Sequence, residues 1–121
     1  MTESRNSKQY DLEERTEEFA RNVRKLVKAL PKSIGNNEDG KQLVRASGSV
    51  GANYIEANEA LSKKDFRMRI KICRKEAKES RYWLRLVDIE EHDTLNNVRD
   101  SLIQEATELM NIFGAILRKT E

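Results

Sequence analysis

Few residues in this chain break a helix, and few could run an enzyme. It has one proline and five glycines among 121 residues, which leaves little turn chemistry and favours long helices over many short strands. A single cysteine, Cys73, excludes an intramolecular disulfide and fits a reducing compartment. The one histidine, His92, argues against a di-iron centre, which helical bundles build from two Glu-x-x-His motifs. Without a second His or Cys there is no metal-ligand cluster, and no Ser/His/Asp set stands out, so neither catalysis nor a cofactor is expected. There is no charged-then-apolar leader, and no apolar run is long enough to span a bilayer. A soluble, cytoplasmic protein without a membrane partner is the expectation.

What the sequence does have is helical periodicity. Residues 1–9 are polar and unpatterned and predict a loose tail, leaving 10–121 as a single domain. Asp11 and Glu14 predict a capping box that opens a first helix. Leu12, Thr16, Phe19, Val23, Leu26 and Leu30 then recur at alternating steps of four and three, the period of one helix face. Pro31 should end that helix, and residues 33–40 (SIGNNEDG) predict a loop rich in Gly, Asn and Asp. A second helix, from about Lys41 to Leu61, follows with the stripe Leu43, Ser47, Val50, Tyr54, Ala57 and Leu61. Ser62 and Asp65 predict the cap of a third, whose inward residues are Phe66, Ile70, Cys73, Ala77, Ser80, Leu84 and Val87. A polar turn at 90–93 leads to a fourth with Leu95, Val98, Leu102, Ala106, Leu109, Phe113 and Ile116. Four amphipathic helices with short connections predict an all-α, antiparallel up-down-up-down four-helix bundle.

Two features depart from a plain bundle. On the second helix Ser47, Gly48, Gly51 and Ala52 form a strip of small residues. Each glycine costs a helix roughly 0.5–1 kcal/mol against alanine, so close approach of another backbone is expected, from within the bundle or from another subunit. Nearby, Arg45, Asn53, Glu56, Glu76 and Glu79 are candidates for a partly buried polar network, since buried polar groups need partners.

The second feature is charge. The net is only +2, yet residues 62–88 hold ten basic and four acidic groups, for +6. Residues 89–121 hold three and seven, for −4, and everything before residue 62 sums to zero. On the third helix Lys64, Lys71, Lys75, Lys78 and Arg85 share the face opposite the core, with Tyr82 among them and Arg67 and Arg74 flanking. Arg21, Lys25, Lys28 and Lys32 form a shorter line on the first helix. Aligned cations can track a phosphate backbone and an interleaved tyrosine can stack on a base; a solvated charged face is the plainer alternative.

The runs RASGSVGANYIEANEA (45–60), DFRMRIKICRKEAKESRYWLRL (65–86) and EATELMNIFGAIL (105–117) resemble the four-helix bundle proteins also known as the 23S ribosomal RNA intervening-sequence protein family. The resemblance covers nearly the whole chain. It implies a homopentamer and kinship with the accessory variability proteins of diversity-generating retroelements, basic pentameric barrels that bind nucleic acid and a reverse transcriptase. The family's recurring polar positions fall on Asn53, Glu56 and Glu79, in structural roles. The leading expectation is therefore a non-enzymatic homo-oligomer that binds RNA or DNA through the third helix, helped by the first. The alternative is a protein-interaction scaffold or accessory subunit, with a reverse transcriptase or another protein as partner and no direct contact to nucleic acid.

Overall fold

A computed structural model describes the backbone of residues 8–121 and the side chains from Leu12 onward. Four helices make up the fold: α1 (Lys8–Ala29), α2 (Ile34–Asn58), α3 (Lys63–Leu86) and α4 (Asp93–Lys119). The connections at 30–33 and 59–62 contain four residues each, and that at 87–92 contains six. Six extended residues reach at most about 22 Å, whereas a 24-residue helix is about 36 Å long. No such connection can return to the starting end, so consecutive helices run antiparallel. Each helix packs on the next and α1 closes the ring against α4, while among the described residues no Cα of α1 comes within 8 Å of one on α3. The result is a square bundle with α1 and α3 on one diagonal.

The predicted stripes supply the core. Phe19, Val23 and Leu26 of α1 meet Leu43, Val50 and Tyr54 of α2, Ile70, Cys73 and Leu84 of α3, and Leu109 and Phe113 of α4 in one buried cluster. Tyr54 and Phe113 lie with ring centroids 6.1 Å apart in a tilted arrangement, a geometry aromatic quadrupoles favour. The buried hydroxyls of the core have local partners. The Thr16 hydroxyl donates to the Leu12 carbonyl and that of Ser80 to Glu76, while Ser47 donates to Val44. Such bonds to a carbonyl one turn back satisfy a hydroxyl without a tertiary partner.

The stripes fail at their ends. Leu61 is 97% exposed because α2 stops at Asn58, before the stripe's last turn. On α4, Val98 is exposed and Leu117 rather than Ile116 is the buried residue of the last turn.

The expected loop at 33–40 is instead the first two turns of α2. Ser33 caps it, its Oγ accepting from the Asn36 amide at 3.0 Å. Asn36, which composition placed in a loop, is buried and ties three segments together. Its amide donates to the carbonyls of Pro31 and Asp88 at 2.8 and 2.9 Å, and its Oδ1 accepts from the Asp88 amide. Tertiary anchoring thus overrides a weak local preference. The expected start of α1 moves as well: Asp11 lies inside a helix already running at Lys8, so it is not the cap. Lys8 and Gln9, assigned to the tail, are helical, and the rest of the expected tail, residues 1–7, lies outside the described residues. Ser62 does cap α3, accepting from the Asp65 amide at 3.0 Å.

Candidate nucleic-acid interface

The third helix holds its charge where a large ligand could reach it. Lys64, Lys71, Arg74, Lys75, Lys78 and Arg85 are all exposed, because the core residues from Ile70 to Leu84 occupy the opposite side of α3. Among the described residues only Lys75 has carboxylates near, Glu76 at 3.8 Å and Glu79 at 3.9 Å. Surface pairs this loose contribute little and leave the ammonium available. Two shallow hollows lie along the face. One, of about 630 Å³, is lined by Lys63, Lys64, Asp65, Arg67, Met68 and Lys71. The other, of about 600 Å³, is lined by Lys75, Lys78, Glu79, Tyr82 and Trp83. Tyr82 and Trp83 form an edge-to-face pair with centroids 5.0 Å apart, and Tyr82 is 56% exposed. Trp83 was not among the sequence candidates, since its position between the stripes concealed that it shares a hollow with Lys75 and Lys78.

Arg67 leaves the candidate set. Its Nη1 donates to the Leu117 carbonyl at 2.6 Å and to the Thr120 hydroxyl at 2.7 Å. It therefore caps the C-terminal end of α4, where unpaired carbonyls and the helix dipole attract a cation. The first helix also fails to extend the face. Arg21 is ion-paired one turn back with Glu17 and lies near Glu18. Lys25, Lys28 and Lys32 are exposed, but α1 sits diagonally across from α3. The two basic lines cannot merge into one surface of a single chain.

The small-residue strip divides in the same way. A Cβ on Gly51 would lie 2.9 Å from Thr16 Oγ1 and 3.2 Å from Thr16 Cβ, so this glycine permits α1 and α2 to approach within one chain. Ser47 is buried in the core, Gly48 lies 3.3 Å (measured from an added Cβ) from the Arg24 guanidinium, and Ala52 faces outward. These four residues do not form one contact surface, because successive small residues point around the helix.

Nor does the expected polar network assemble. Asn53 does find a cation, but it is Arg69, whose Nη1 donates to Oδ1 at 2.9 Å. Arg45 is exposed and donates to Gln42, Glu56 and Glu79 are exposed, and Glu76 is largely covered with Lys75 3.8 Å away. The tight polar cluster of the bundle lies elsewhere. Arg15 of α1 donates from Nε and Nη2 to Glu105 of α4 at 2.7 and 2.9 Å, and from Nη2 to Glu108 at 2.7 Å. Hydrogen bonds from Gln104 and then Arg15 hold the Glu108 carboxyl below its ordinary range.

Cys73 is fully buried and burial pushes its thiol up to about 12, far from a thiolate at neutral pH. Among the described residues no group of three His, Cys, Asp or Glu side chains could hold a metal ion, and no helix is long and apolar enough to cross a membrane.

Fold and surface together define a four-helix bundle with one strongly cationic helix face. The sequence pattern of the 23S rRNA-intervening sequence proteins matches residues 8–115, and the chain belongs to that family. A solved structure from Bacteroides thetaiotaomicron, described as a protein with unknown function from the S23 ribosomal protein family, is similar. It shares 29% identity, with a TM-score of 0.73 over 87% of this chain and 96% of that one. No curated protein matches.

Proposed function

We propose that this bundle is a non-enzymatic, homo-oligomeric protein that binds nucleic acid through the outer face of α3. The supporting observation is the row of six exposed cations, Lys64 to Arg85, with Tyr82 and Trp83 set beside Lys75 and Lys78. Six cations on one helix face can neutralise successive phosphates and release their counterions. Tyr82, exposed beside the half-buried Trp83, supplies a stacking surface that any base can use. RNA is the natural first probe, because the family description itself refers to 23S rRNA.

Self-association is supported by apolar groups flanking the cations. Met68 and Leu86 are 50% and 47% exposed, on a helix that also leaves Tyr82 open. The family resemblance sets the expected number of copies at five. Replacing Met68 and Leu86 with Glu should then yield a smaller particle by light scattering with the helical content retained; a wild-type monomer would contradict this part.

The binding claim is tested by reversing Lys71, Lys75 and Lys78 to Glu and measuring affinity for a short RNA duplex. A large loss is expected, and unchanged affinity removes the claim. Capture of a partner protein that survives nuclease treatment would favour the competing reading, a scaffold whose cations meet an acidic protein surface.

A further inference from the structure

Residues 21–45 contain seven basic groups and two acidic ones, a net of +5, almost the +6 of residues 62–88. Longer averages hide this, because residues 1–20 hold three basic and six acidic groups, and Glu56 and Glu59 follow. The connection at 30–33 folds the segment on itself, so that the end of α1 lies against the start of α2. Gly40 makes the approach close: a Cβ there would lie 3.1 Å from Val27 Cγ1.

Between these two helix ends runs an open groove of about 750 Å³. Lys28 and Lys32 stand on one side, Lys41 and Arg45 on the other, with half-buried Val27 and Val44 between them. All four cations are exposed. Glu38 lies 3.8 Å from Lys41, and among the described residues no carboxylate is within ion-pairing distance of the other three. The groove is bounded by α1 and α2, whereas the face described above is the outside of α3, diagonal to α1. A rigid duplex laid along one surface leaves the other open.

We propose that this groove is a second nucleic-acid surface, so that the bundle holds two separate segments and bridges them. The proposal rests on the reading of α3 as the first surface. Lysine and arginine on both walls engage phosphates as charges, and the valines contact sugar or base edges. The α3 face is convex and runs the length of a helix; the groove is concave and short, and it holds the second segment more weakly.

The test uses the full chain with two populations of one short RNA duplex, carrying donor and acceptor dyes, and reads energy transfer between duplexes beside the affinity for one. An oligomer could bridge through several α3 faces alone, so the deciding variant combines Lys28→Glu, Lys32→Glu and Lys41→Glu. These side chains are exposed, and unchanged circular dichroism will show that the fold is kept. Energy transfer should fall by about tenfold or more while affinity for the first duplex changes less than about threefold, since only the second set of phosphate contacts is lost. The corresponding triple Gln variant should fall between wild type and the Glu variant. Full bridging by the Glu variant, or none by wild type, overturns the proposal and leaves the α3 reading standing. If instead the Glu variant loses all binding while the α3 triple reversal binds normally, the groove is the single surface and both ideas fall. Polyglutamate binding that depends on the same three lysines and matches RNA in strength also overturns it, in favour of an acidic protein.

Discussion

On α3 the exposed cations run from one end of the helix to the other, whereas on α1 three of the five whose side chains are described are already engaged by neighbours. Arg15 is held between Glu105 and Glu108, and Arg21 is paired with Glu17. Arg24 turns back to the Ala20 carbonyl. Among the described residues, free charge on α1 begins at Lys25, and it becomes a surface where α2 adds Lys41 and Arg45. The two helices, with six Lys and Arg on α1 and ten on α3, thus differ in chemistry as well as in number. What separates them is the placement of carboxylates three or four residues away, or on the adjoining helix, which decides whether a cation is available or consumed.

That contrast can be broken in several places. Reversing Lys71, Lys75 and Lys78 replaces attraction with repulsion at three phosphate contacts and should lower duplex affinity by about a hundredfold or more at moderate salt, measured by fluorescence anisotropy. Gly51→Leu forces a side chain into Thr16 and should cost about 1–3 kcal/mol of stability by denaturant unfolding, displacing α1 while leaving the α3 cations in place. Arg67→Ala removes the cap on α4 and should cost about 1 kcal/mol, with duplex binding unchanged; a loss of binding without a loss of stability would return Arg67 to the interface.

Smaller effects probe the α1 side. Arg15→Ala opens the link from α1 to α4 and should cost less than about 1 kcal/mol, since the cluster is partly exposed. Glu108 titrates below its ordinary range in the folded protein, so its contribution is present above the unfolded carboxylate value and is lost as pH falls through the folded one. Wild type should therefore lose stability on acidification somewhat more steeply than Arg15→Ala, as followed by thermal melts across the acid range. Arg21→Glu should change duplex affinity by less than about twofold, because that guanidinium is already paired. A large effect there would erase the distinction between the two helices.

Much of this architecture can be read from spacing alone. Alternating steps of four and three located the buried residues of all four helices, from Phe19 to Phe113, because burial follows the helix period directly. The errors fell where tertiary contacts decide. Asn36 reads as a loop former until its amide meets Pro31 and Asp88, and Arg67 reads as surface charge until it reaches the end of α4. The α3 face was legible because one continuous helix carries it. The groove at the α1–α2 end was not, because its walls lie on either side of a turn and its charge is offset by the acidic first half of α1.

The account stands most directly on the salt dependence of duplex binding. With a short DNA duplex, log affinity against log salt should fall for wild type with a slope near −5 if all six α3 cations meet phosphates. The Lys71, Lys75 and Lys78 reversal should flatten that slope by about 3. Equal slopes for the two proteins would mean that the α3 face does not touch the phosphate backbone.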